Sequence, residues 1–170
     1  MSVNQQDISR IFPEFKNTEL SFSGHFDFHK QLELLESEMH QRYPGIDNKT
    51  WKRARFLFTE LYQNATKHSS KGMVWSGISF SDTAIKLYSI NDLSKADKSR
   101  IQQITAELKE LPASAMREEI KRRNMSVSNA GTGLYHMFLK SSKNPVFRFA
   151  LRADEWYVLS KLIIYVSTSY

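Results

Sequence analysis

Cysteine is absent from the 170 residues. That excludes a disulfide framework, a thiolate metal site and a cysteine nucleophile, and leaves His, Asp and Glu as the usual strong metal ligands. Long apolar runs are also missing. The longest, Leu162 to Val166, is far short of the ~20 residues that span a bilayer. The start, Met1 to Asp7, has no charged segment followed by an apolar one, so a secretory leader is not expected and the expected location is cytoplasmic. Glycine and proline are scarce, 6 and 4 residues, and fall mostly between periodic segments. With no repeat, low-complexity tract or linker in view, residues 1–170 read as a single domain. What the chain does have is a 41% hydrophobic share, 12% aromatics and 24 Lys+Arg against 18 Asp+Glu, a net charge of +6. Such a composition builds a core, and its charge suits a nucleotide, an acidic protein or nucleic acid.

Periodicity gives the element order. Glu19 to Gly24 alternates as a short strand. Leu32, Leu35 and Met39 recur at helical spacing between Phe26 and Tyr43, and Pro44-Gly45 stops the run. Asp47 or Asn48 caps a second helix through Trp51, Ala54, Leu57, Phe58, Leu61 and Ala65. Met73 to Phe80 and Ala84 to Ile90 read as a hairpin turning at Ser81-Asp82. Ile101 to Leu111 is a third helix closed by Pro112, and Ser114 caps a polar fourth helix through Arg123. After the small-residue loop from Asn124 to Ala130, a helix starts near Gly133. Val146 to Arg152 and Trp156 to Val166 are the closing strands, turning at Ala153-Asp154. Strands adjacent in sequence pair antiparallel. The expected fold class is therefore α+β, a two-layer α/β sandwich with a mostly antiparallel mixed sheet and helices on one face.

The second helix carries the chemistry. At ~100° per residue, Glu60, Asn64 and Lys67 lie within roughly 60° of one another, and His68 borders the apolar stripe. An amide oxygen is a hard neutral ligand for Mg²⁺, an ammonium meets phosphate, and a carboxylate one turn earlier can take a hydroxyl proton. Phosphoryl transfer needs all three parts. The same spacing also suits an ordinary amphipathic helix with a solvated Glu-Asn-Lys face. Gly131-Thr132-Gly133-Leu134 is the second candidate: two glycines let backbone N–H groups approach a phosphate before a helix start. Equally, it suits a flexible loop that ends in a helix.

Glu60-Leu-Tyr-Gln-Asn64-Ala-Thr-Lys67-His68-Ser69 resembles the N-box of the GHKL ATPases, and Gly131-Thr-Gly133-Leu resembles their second glycine box after the ATP lid. Within that superfamily the chain, from Leu20 to Val166, looks most like the SiaB family of bacterial protein kinases, which are akin to anti-sigma factor kinases. The resemblance implies the Bergerat, histidine-kinase-like fold and an ATP- and Mg²⁺-dependent serine/threonine kinase acting on a small regulatory partner protein, in a partner-switching or biofilm pathway. It implies Glu60 as general base and Asn64 as Mg²⁺ ligand. It further places Lys67 and His68 near the phosphates and Gly131, Thr132, Gly133 and Leu134 around them. Two positions depart from the superfamily pattern. Tyr135 replaces a third glycine, where it either packs on the sheet or narrows the phosphate path. The adenine-reading Asp-x-Gly-x-Gly is absent, and the equivalent region reads Ser89-Ile-Asn91-Asp92-Leu-Ser. Asn91 or Asp92 can accept from an adenine amino group there, Asn91 being favoured because it ends the strand; a turn role suits either.

A different function class stays open: a non-catalytic interaction module that sequesters a regulator, suggested by Tyr135 and the missing glycine box. Nucleic-acid binding rests on charge alone and ranks last. Lys121-Arg122-Arg123 reads either as a solvated helix end or as a patch for an acidic partner or phosphates. His25 and His29 share a helix face, but with no third ligand a surface role is favoured over a metal pair. No room exists for a phosphoacceptor histidine hairpin, so the substrate is expected on another chain. Homodimerisation is left open.

Overall fold

The computed structural model describes residues 5–23, 27–125 and 131–166. His25 and the loop at 126–130, including the expected lid, lie outside them. Helix α1 (Gln5–Ile11) leads through a 3-10 turn (Pro13–Asn17) into β1 (Leu20–Ser23), then α2 (Phe28–Arg42) and α3 (Asn48–His68). The hairpin β2 (Val74–Ser81) and β3 (Ala84–Leu93) follows, then α4 (Lys95–Glu110), α5 (Ala113–Asn124), α6 (Gly133–Lys140), β4 (Val146–Arg152) and β5 (Glu155–Tyr165).

The five strands lie in the order β1-β2-β3-β5-β4. Every pairing is antiparallel, so the sheet is not mixed as the sequence suggested. Two of the pairings, β2–β3 and β4–β5, are hairpins and antiparallel for that reason; β1 reaches β2 through α2 and α3, and β4 follows β3 through α4, α5 and α6 and lies beyond β5. The β4–β5 turn places Ala153 and Asp154 at φ 49° and 64°, the left-handed pair that a two-residue hairpin requires.

Local signals set the longer helices. Asp47 caps α3, accepting from the Thr50 amide at 2.8 Å and the Thr50 hydroxyl at 2.6 Å. Ser94 caps α4, which therefore starts well before Ile101. Helix α5 starts after Pro112 without a side-chain cap, so Ser114 does not serve as one. Leu35, Met39, Ala54, Leu57, Phe58 and Leu61 pack against Ile78, Ile85, Leu87, Leu162 and Ile164 of the sheet. No helix among the described residues is long and apolar enough to cross a membrane.

The opposite sheet face is covered too, which the sequence reading missed. Ile8, Phe12 and Phe15 are buried against Trp75, Tyr88, Ile90, Tyr157 and Leu159. Only glycine fits at position 77, where a Cβ would come within 2.7 Å of the Phe15 ring and 2.6 Å of Thr18. The fold thus has a thin third layer under its sheet.

That layer contributes heavily to stability. Phe12 is 1% exposed, and Phe12→Ala is expected to cost about 3–5 kcal/mol. Urea unfolding checks this as a lowered midpoint at unchanged slope; a midpoint within error of the parent would show the layer to be dispensable.

Candidate active site

One face of α3 meets the start of α6. A Cβ on Gly133 would lie 2.5 Å from Glu60 Oε2 and 2.6 Å from Asn64 Nδ2, distances that carbon never keeps. The missing side chain therefore lets the α6 backbone close on the acid and the amide. Asn64 Nδ2 donates to the Glu60 carbonyl at 2.9 Å. Only the amide nitrogen can donate, so the bond fixes the side chain and leaves Oδ1 with no protein partner among the described residues. Thr132 precedes α6 and provides no side-chain cap, which leaves first-turn N–H groups of α6 available for an anion. Gly131, at φ +96°, makes the left-handed turn into this segment.

A cavity of about 330 Å³ opens beside this contact. Asn64, Lys67 and His68 form one wall, Gly131, Leu134 and Tyr135 another, and Asp97, Arg100 and Ile101 of α4 a third. An inner chamber of about 50 Å³ shares Asn64, His68, Ile101 and Leu134 with it and reaches the sheet at Ser89, Asn91 and Ser160. Ser89 and Ser160 face each other across β3 and β5.

The two candidates for base recognition part company here. Asn91 and Asp92 both lie inside β3, opposite Val158 and Tyr157, and so are not turn residues. Successive strand residues point to opposite faces. Asn91 lines the inner chamber; its Nδ2 donates to the Asp92 carbonyl at 2.8 Å, and its Oδ1 has no protein partner among the described residues. Asp92 turns away. Its carboxylate accepts from the Ser69 hydroxyl and, at 2.8 Å, from the Lys71 amide. It anchors the chain that leaves α3 and lines neither chamber.

Electrostatics distinguish the titratable groups. Burial pushes the Glu60 carboxyl above its ordinary 4.5. Burial, then the neighbouring Lys67 charge, pushes His68 below its ordinary 6.5. Neutral His68 and exposed Lys67 therefore meet a ligand differently, one as a polar wall and the other as a charge. Arg123, the last residue of the basic run, is built into the site. It donates to the Tyr135 hydroxyl at 3.2 Å, and its guanidinium lies 4.9 Å from the ring centre. Tyr135 thus lines the cavity rather than the sheet. Lys121 and Arg122 pair with Glu118 and Glu119 of their own helix, as a solvated helix end would. Ser89, Ser160, Asp97 and Arg100 were missed. The polar serines inside apolar strands were a readable signal; the α4 pair was not, because only tertiary packing brings it here.

No family model matches the chain, and no curated protein sequence does. Among solved structures it is similar to a chain of the SiaB–SiaC complex from Pseudomonas aeruginosa, with a TM-score of 0.75 and 14% identity, covering 96% of this chain and 100% of that one. At that identity the likeness shows a shared, SiaB-like fold.

The raised Glu60 carboxyl has a stability consequence. The folded state holds the proton more tightly than the unfolded chain, so native stability declines as pH rises through the window from the ordinary 4.5 to the folded value, and stays lower above it. Glu60→Gln removes that cost. We expect its melting temperature to exceed the parent's by about 1–3 °C at pH 8 and to match it below pH 4. No gain at pH 8 would mean that the carboxylate is fully solvated.

Proposed function

We propose that the chain is an ATP- and Mg²⁺-dependent protein serine/threonine kinase of Bergerat type, phosphorylating a small regulatory partner protein in a bacterial partner-switching or biofilm pathway. The observation that carries this reading is the Gly133 contact, which sets a half-buried carboxylate, an oriented amide oxygen and a helix start at the edge of a cavity of nucleotide size. The fold supports it as well: the similar chain comes from a structure of two proteins in complex.

The residues fit the groups required. Asn64 Oδ1 is one hard oxygen, and no cluster of three or more His, Asp or Glu occurs among the described residues. A Mg²⁺ ion here would thus be held chiefly by phosphates, as is usual for this cation. MgATP supplies the γ-phosphoryl group and offsets the charge on its oxygens. Lys67 and the backbone of Gly131, Thr132, Gly133 and Leu134 bind phosphate oxygens, with neutral His68 beside them. Asn91 Oδ1 accepts from the adenine amino group at the chamber floor. Glu60 takes the proton from the serine or threonine hydroxyl as its oxygen bonds to phosphorus and the bond to the ADP oxygen breaks. Its raised carboxyl makes it a stronger base than a solvated one.

A second reading, the non-catalytic interaction module, is favoured by Tyr135, whose ring and Arg123 partner occupy the side where a third glycine would leave space. Calorimetry separates the two. No binding at millimolar MgATP would leave only the module.

Glu60→Ala is expected to lower transfer at least about 10²-fold while keeping ATP affinity, and Asn64→Ala to lose the Mg²⁺-dependent part of that affinity. The assay is a mass gain of one phosphate on a protein that co-purifies with the chain. Full phosphorylation by Glu60→Ala would refute the base assignment.

A further inference from the structure

A groove lies on the far side of the Glu60–Gly133 contact, along the antiparallel pair α3 and α6. Its volume is about 820 Å³, and it is lined by Lys49, Lys52, Arg53, Phe56, Arg117 and Lys140, among others. None of these cations forms an ion pair with a carboxylate among the described residues, although seven other Lys and Arg do. Arg53 instead donates to the Lys140 carbonyl and, at 3.1 Å, to the Ser142 hydroxyl. Lys140 Nζ lies 5.0 Å from the centre of the Phe56 ring. Neither partner neutralises charge.

Helix stability does not account for the cluster. Lys49, Lys52 and Arg53 sit in the first two turns of α3, whose first turn holds no acid and whose N-cap Asp47 attracts Lys49 but neither Lys52 nor Arg53. Cations there oppose the helix dipole. Their placement costs stability, and what it provides is a concentrated positive field in a concave surface.

The groove and the proposed base lie on the same side of α3, with Phe56 of the groove one turn before Glu60. Lys52, Phe56 and Glu60 follow at intervals of four on one side of α3. Against them α6 sets Gly133 beside Glu60, then His136 5.2 Å from the Phe56 ring, then Lys140 beside Arg53. Eight residues of helix put Lys52 about 12 Å from Glu60, the span of about four extended residues.

We propose that this groove receives an acidic segment of the phosphoacceptor protein, with its carboxylates about three to five residues from the modified hydroxyl; the term phosphoacceptor rests on the kinase reading above. A protein segment is favoured over nucleic acid because the one aromatic ring in the groove is covered by Lys140 and flanked by His136, leaving no free face for a base to stack on. It is favoured over a membrane because the cations line a concavity rather than a plane.

The test uses the full chain and a labelled peptide of about twelve residues, carrying one serine and a run of Asp and Glu starting three residues from it. Its neutral Asn and Gln counterpart is the control. Binding is read by fluorescence anisotropy for the parent, for Lys52→Glu with Arg117→Glu, and for Lys30→Glu with Lys109→Glu. The second pair carries the same charge change on exposed residues outside the groove. The groove pair should weaken the acidic peptide about tenfold, the outside pair less than about threefold, and the neutral peptide should not bind. MgATP affinity should be unchanged in both pairs. Equal weakening by the two pairs overturns the groove, since only net charge would then act. Tighter binding of duplex DNA or phosphatidylserine vesicles at matched charge, lost with the groove pair, also overturns it. A parent chain that binds no MgATP yet loses the peptide only through the groove pair supports the acidic-segment site and overturns the kinase reading alone.

Discussion

The close approach of Gly133 to Glu60 and Asn64 governs the arrangement of the site. One hydrogen in place of a side chain brings two helices near enough for a backbone to touch a carboxyl group. A larger residue would displace the ends of the Glu60 and Asn64 side chains, and so the carboxyl and amide that stand beside the cavity wall of Gly131, Leu134 and Tyr135. Two effects oppose each other at this point. The start of α6 favours a negative charge, and removal of water disfavours one. The Glu60 carboxyl is raised, so desolvation wins. A group in that condition holds a proton more readily than a surface carboxylate while remaining a half-open neighbour of the cavity.

The sheet divides the remaining work by the alternation of β3. Asn91 and Asp92 are adjacent in sequence and serve opposite faces. Asn91 gives the cavity a polar floor with an acceptor to spare. Asp92 ties Ser69 and Lys71 to the strand, and so fixes where α3 ends and where Lys67 and His68 stand. A slip of one residue would exchange these roles and put a carboxylate into the chamber and an amide into the anchor. The layer of Ile8, Phe12 and Phe15 beneath the sheet holds the same register from the other side, because Gly77 admits no side chain between it and the strand.

Much of this was legible, for local reasons. The Glu60, Asn64 and Lys67 row lies on one helix, where periodicity alone fixes relative position. The glycines stand next to the helix they open. The N-terminal layer is also within reach of the sequence: Ile8, Ile11, Phe12 and Phe15 follow helical spacing. Nothing local distinguishes Asn91 from Asp92, since the choice depends on which sheet face carries α3. Local charge density is a poor guide for the same reason. Lys121-Arg122-Arg123 is the densest basic run in the chain, yet Glu118 and Glu119 one turn earlier pair with it, and hydrogen bonds from Arg122 and Arg123 hold the Glu119 carboxyl down to about 2. The unpaired cations come from three helices and gather only when the chain folds.

The net charge of +6 is therefore better understood by its pairing than by its sum. Where Lys and Arg meet carboxylates, as at Arg148 with Glu14 or Arg152 with Asp7, they join the N-terminal layer to the sheet and project little field. Where they do not, the field extends into a groove whose Phe56 lies one turn before Glu60. A base that moves a proton from one molecule so that it can receive a group from another must adjoin both reactants. Asn64, one turn after Glu60, lines a cavity with a polar, half-buried wall, and Phe56, one turn before it, lines a concave surface with an excess of positive charge. These two surfaces lie on successive turns of α3, with the Gly133 contact between them.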